Sequence, residues 1–222
     1  MSILNIDVTF DLICPWCWIG KRNLDTALKL VRSEFPQHIV QTNWHGVQLL
    51  PGTPEKGLPF ARFYEARLGG AAAVRLRETQ VRDAATQAGL RINFDRIETL
   101  PNSGKAHRLL EFVKSFGTAT QYESILDGLF ENYFIDGKNI GDEKVLLETA
   151  ENLHLNIASI SAAFARPATN EVTMPSHSGV PCFVFDGRYR VFGTQTPQAL
   201  ASTMSKIINE SFSNDASLSL AE

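Results

Sequence analysis

Residues 4–17 read LNIDVTFDLICPWC, and the change of period inside them limits the folds open to this chain. Leu4, Ile6, Val8, Phe10 and Leu12 alternate with Asn5, Asp7, Thr9 and Asp11, the period of a half-buried strand. The spacing then turns helical: Leu24, Ala27, Leu28, Val31 and Phe35 share one face, and Pro36 stops it. Pro15 suits a first helical turn, where its missing N–H costs nothing. Residues 38–49 read as a second strand, with Val40, Thr42 and Trp44 on one face. A helix crossing between two parallel strands is a βαβ unit.

The middle of the chain changes character. From Pro59 to Arg166 the pattern is helical, with almost no strand signal. Helices are expected over 60–68, 71–88 (capped by Gly89), 105–116 and 120–134. Two more follow, with Asp142 and Asn156 as N-caps. Strand signal returns at Cys182–Phe185 and Tyr189–Phe192, joined by Asp186-Gly187, a hairpin signature. Thr196 caps a last helix whose buried face is Leu200, Met204, Ile207 and Ile208. From Ser211 the chain reads as a disordered tail. With 222 residues and 44% apolar content, one sheet domain with a large insertion fits best. Neither the head nor the tail has enough strands for a core of its own. The sheet domain is placed at 1–58 and 168–210, the helical insertion at 59–167 and the tail at 211–222.

Net charge is −3 and no Lys/Arg block stands out, which argues against nucleic acid and anionic membrane as partners. MSILNIDVTF lacks the features of a signal peptide, and no apolar stretch reaches the length of a membrane span. A cytoplasmic protein is expected. Three cysteines are too few for a secreted disulfide framework. In a reducing compartment a close pair is more often catalytic or metal-binding than structural.

Cys14 falls where the first strand hands over to the first helix. Unpaired N–H groups and the helix dipole favour negative charge there, and Cys-X-X-Cys at a helix start is a setting in which thiols become acidic. Cys14, at the helix end, is the expected nucleophile. Cys17, one turn in, suits the resolving role. Pro15 restrains the loop and Trp16 sets an apolar surface beside the sulfur. A zinc half-site would need two more ligands, with only His177 and Cys182 to recruit, so no metal is assigned. A structural disulfide across two residues closes too small a loop to stabilise much, and two inert core cysteines are the remaining alternative. Near the other end, Ser178-Gly179-Val180-Pro181 precedes a buried strand. A cis bond at Val180–Pro181 would turn the Val180 backbone toward a ligand; an ordinary strand-starting proline is the plainer reading.

Taken together, ICPWCWIGK after a strand, SGVPCFVFDGRYRVFGTQTP near the C-terminus and NSGKAHRLLEF between them resemble the DsbA-type thioredoxin-fold oxidoreductases, and within them the cytoplasmic FrnE-like branch. The resemblance spans Ile3 to Ile208. It implies an α/β thioredoxin fold (βαβ…ββα) with an inserted all-helical domain. It also implies Cys14 as nucleophile, Cys17 as resolving thiol and Pro181 as a cis-proline. Pro15, Trp16, Val180 and Pro181 would then form the substrate-binding surface, Val180 through its backbone. Protein or peptide thiols and disulfides are the implied partners. No cofactor is required, and glutathione is the small-molecule redox partner to consider.

The chain departs from the pattern in places. Cys182 follows the Gly-Val-Pro proline, where relatives often carry another residue. It reads either as a third member of the site or as a small buried side chain. Thioredoxins proper carry a buried acid six positions before the first cysteine; here that position is Val8. Asp11 is nearer the motif, but alternation sets it on the polar side of the strand. His107 is a candidate to line the groove above Cys14 and tune it, with an ordinary helix residue as the alternative. Trp44, His45 and Tyr64 are weaker candidates for a substrate surface. Two other function classes stay open: a glutathione-dependent isomerase or transferase, which typically has Ser in place of Cys14, and a chaperone-like binding module.

Overall fold

The structure is a computed structural model that describes residues 3–165 and 179–219, with side chains described up to residue 210. Its centre is a four-stranded sheet in the order β2-β1-β5-β6. β1 (Ile3–Phe10) runs parallel to β2 (Ile39–Gly46), the two joined by α1 (Pro15–Glu34). β5 (Cys182–Phe185) adds antiparallel to β1, with Thr9 opposite Cys182, and β6 (Tyr189–Phe192) adds antiparallel to β5. The hairpin between them turns at Asp186 and Gly187, with φ of 48° and 68°. Two successive positive φ values are what a tight hairpin of this hand requires.

The inserted block runs from β3 (Leu58–Pro59) through α2 (Phe60–Leu68), α3 (Ala71–Gln87), a short 3₁₀ turn, β4 (Thr99–Leu100), α4 (Gly104–Phe116), α5 (Ala119–Phe134), α6 (Glu143–Glu151) and α7 (Ile157–Phe164). The sequence does not announce the two-residue β3–β4 ladder. The helix starts are the expected ones. The Asp142 carboxylate accepts from the Lys144 N–H at 2.9 Å, and the Asn156 side chain accepts from the Ser159 N–H at 3.0 Å. The Thr196 hydroxyl accepts from the Ala199 N–H at 3.2 Å. The last helix, α8 (Pro197–Ser219), continues through the stretch beyond Ser211 where composition suggested a disordered tail.

α1 and α8 pack on each other, and Gly20 of α1 faces Phe183 and Pro181 of the β5 segment. One apolar core joins the sheet to the inserted helices. The Trp18 ring of α1 stacks on Phe130 and Phe134 of α5, at centroid distances of 6.1 and 5.8 Å. The insertion is therefore packed directly against the helix that carries the cysteine pair.

Candidate active site

β1 stops at Phe10, two residues short of the expected end, because the chain turns: the Cys14 N–H donates to the Asp11 carbonyl at 3.1 Å. Cys14 is the N-cap of α1, in extended conformation, and Pro15 opens the first turn. The Cys17 N–H donates to the Cys14 carbonyl at 3.0 Å. The Cys14 thiol lies 4.0 Å from the Val180 carbonyl oxygen. Val180–Pro181 is cis. Three contacts fasten this loop beside the pair. The Gly193 N–H donates to the Pro181 carbonyl at 2.8 Å, and the Thr194 hydroxyl donates to the Trp16 carbonyl at 2.9 Å. A Cβ at Gly20 would meet the Pro181 ring at 3.0 Å, so a glycine there lets α1 approach closely. Cys14, Cys17, Pro15, Trp16, Val180 and Pro181 are thus brought together.

Cys17 lies wholly inside. Burial pushes its thiol well above the usual range, and the hydrogen bond and charge of Cys14 push the same way. Behind it sits Asp11, which the alternation misplaced. Its carboxylate is fully buried, not on a polar strand face. The Leu49 N–H donates to its Oδ2 at 2.7 Å and His107 Nε2 lies 3.0 Å from its Oδ1. His107 does not line the groove above Cys14. It pairs with Asp11 instead, with its Nδ1 buried and without a hydrogen-bond partner. Gly46 makes room for it, since a Cβ there would overlap the imidazole.

A cavity of about 340 Å³ opens beside Cys14, between the cysteine loop and the inserted helices. Phe60 and Phe63 of α2, Val74 and Val81 of α3, Phe94 and Phe134 wall it, and Arg67 and Arg77 also line it. Tyr64 is part of the lining; burial and then the charge of Cys14 push its hydroxyl up to about 12. Trp44 and His45 lie elsewhere: the Trp44 indole donates to Glu123 at 3.0 Å and His45 is exposed beside Asp7. Tyr133 is the residue that sequence reasoning missed. It reads as one more core aromatic on the face of α5, yet it is part of the cavity lining, and its hydroxyl is buried without a hydrogen-bond partner.

All three cysteines are free and buried. Strand alternation turns Cys182 away from the sheet face that Phe183 presents to α1. Burial pushes its thiol up. His177, weighed as a zinc ligand, falls outside the described residues.

A helix-capping Cys-X-X-Cys beside a cis-proline loop, on a sheet of this order, is the arrangement of thioredoxin-fold proteins. The chain belongs to the DsbA-like thioredoxin domain family, whose model matches residues 5–205. It is similar to the crystal structure of a probable DsbA oxidoreductase from Streptomyces coelicolor: TM-score 0.81, 25% identity, 93% of this chain and 91% of that one. It also resembles in fold the cytosolic disulfide reductase DsbM from Pseudomonas aeruginosa, solved with glutathione (TM-score 0.58, 17% identity, 92% of this chain and 99% of that one). Among curated proteins it is 24% identical over 160 residues to the uncharacterised protein YwbO of Bacillus subtilis, covering 72% of this chain and 71% of that protein.

Proposed function

We propose that this protein is a thiol–disulfide oxidoreductase that works through Cys14 and Cys17 on protein or peptide substrates. The observation that carries the reading is the placement of the Cys14 thiol at the N-terminus of α1, facing the Val180 carbonyl across the Pro181 loop, with Cys17 shielded behind it. The Cys14 thiolate attacks one sulfur of a substrate disulfide. A Cys14–substrate disulfide forms, the substrate S–S bond breaks and one thiolate leaves. Cys17 then gives up its proton and attacks the Cys14 sulfur. The Cys14–Cys17 disulfide forms and the second substrate thiolate leaves, so two electrons pass to the substrate. Oxidation of a substrate dithiol is the same sequence in reverse.

Asp11, the buried carboxylate behind the pair, takes the Cys17 proton in this scheme, and His107 holds it in place. A substrate chain lies along Val180, bonded through the backbone in the manner of strand addition. Glutathione is the redox partner that resets the pair; a fold neighbour solved with glutathione supports this. A cytoplasmic location belongs to the same reading. No helix among the described residues is long and apolar enough to cross a membrane.

The test is turnover of a disulfide substrate such as insulin by the variants. Cys14→Ser is expected to abolish it. Cys17→Ser is expected to stall after the first attack and accumulate a mixed disulfide visible by mass spectrometry. Full turnover by Cys14→Ser refutes the assignment.

A further inference from the structure

We propose that the cavity beside Cys14 is a subsite for a small disulfide whose sulfur carries an aromatic body with a carboxylate. This rests on the oxidoreductase reading and adds a small-molecule substrate class to it.

Three observations carry it. First, the cavity is continuous with the nucleophile, because Cys14 is part of its wall. A group attached to the sulfur under attack has this space next to it. Second, its volume of about 340 Å³ lies at the small-ligand end of the range for binding pockets and is ample for a substituted ring. Phe60, Phe63 and Phe94 present ring surface to it, which suits offset or edge contacts with an aromatic guest. Third, Arg67 and Arg77 line it, and neither has a carboxylate partner among the described residues. Arg67 rests over the Phe63 ring at 5.9 Å and Arg77 reaches only Gln80, at 3.4 Å. Glu78, the one acid in the lining, is already paired with Arg82 at 3.5 Å. Two guanidinium groups thus remain to receive an anion, and guanidinium groups match carboxylates in geometry.

The chemistry balances without a further reactant in a single turnover. The reduced protein and the disulfide Ar–S–S–Ar give the Cys14–Cys17 disulfide and two Ar–SH. The two protons released by the cysteines, that of Cys17 by way of Asp11, end in solvent or on the two leaving thiolates.

The experiment measures second-order rates of the pre-reduced protein with two probes, dithiobis(nitrobenzoate) and the uncharged aliphatic hydroxyethyl disulfide. Comparing each variant with the wild type on the same probe cancels the probe's own reactivity. Val74→Trp, which fills the cavity from a partly exposed position, is expected to slow the aromatic probe about ten-fold and to leave hydroxyethyl disulfide within about two-fold. The Arg67→Gln/Arg77→Gln double variant is expected to slow the aromatic probe by a similar factor and to flatten its salt dependence.

Variants that lose both probes equally, or neither, overturn the inference and leave the oxidoreductase reading standing. A Val74→Trp variant that instead loses only reaction with a cysteine-containing peptide assigns the cavity to a protein side chain and also overturns it. Wild-type protein that reacts with neither probe through Cys14 overturns the oxidoreductase reading, and this inference with it.

Discussion

Asp11 and His107 meet because of a missing side chain. The His107 imidazole reaches the buried carboxylate by passing over Gly46, the last residue of β2, where any Cβ would overlap its ring. Gly46→Ala therefore forces a choice between moving the strand end and expelling the ring. A cost of about 1–3 kcal/mol is expected, the usual range for overpacking a filled site. Removing the ring should relieve it. In a His107→Ala background the same Gly46→Ala change is expected to cost less than about 0.5 kcal/mol, a coupling of at least about 0.5 kcal/mol. Urea unfolding of the four proteins in the cycle measures this. An equal cost in both backgrounds would place the resistance in the strand rather than the imidazole.

Between elements, the junction of α1 with the inserted helices turns on Lys21. Its ammonium is buried and paired with Asp25 at 3.1 Å on its own helix, and with Glu123 at 3.1 Å and Asp127 at 3.0 Å on α5. Burial works against its charge, but the three carboxylates outweigh burial and hold its proton more firmly than usual. Losing the ammonium does not strand a buried charge, because the side chains of Glu123 and Asp127 are 45% and 40% exposed and rehydrate. Lys21→Met, which keeps the stem, is thus expected to cost about 1–3 kcal/mol, less than the 3–5 typical when a buried ion is left unpaired. Denaturant titration reads the loss, and a cost near zero would make the cluster a surface ornament. This junction was not legible in the sequence, because Lys21 and Asp127 are 106 residues apart and each alone reads as an ordinary helix charge. What was legible was local. Pro15, Asp142, Asn156 and Thr196 each act within one turn of their own position, so their helix starts could be placed from the chain alone. Asp11 failed for the opposite reason. Alternation extends through it, but its partners Leu49 and His107 come from 38 and 96 residues away and draw it inside. The cysteine pair lies between these cases: its spacing and helix start are local, while the cavity beside it is assembled from α2, α3 and α5.

On the scale of the whole molecule, the reduced pair ties chemistry to stability. Cys17 sits where the sheet, α1 and the inserted helices share one core, and burial holds its proton on well above the usual thiol range. An unfolded chain releases that proton at about pH 8.5. Above this pH the folded reduced protein binds more protons than the unfolded one, so its stability falls as pH rises; below it, the contribution is present in full. Lys21, Tyr64 and Tyr122 also hold their protons more firmly than usual, so total stability at alkaline pH mixes several groups. A variant without the thiol separates them. Relative to Cys17→Ser, the reduced wild type is expected to lose stability between about pH 8.5 and 10, with a slope approaching 1.4 kcal/mol per pH unit for one proton. Denaturant unfolding of both proteins under reducing conditions at several pH values gives the difference directly. A difference flat across that range would mean that Cys17 ionises in the folded protein as readily as in the unfolded chain. The resolving thiol would then need no carboxylate behind it, and the role proposed for Asp11 would fall with the burial that motivates it.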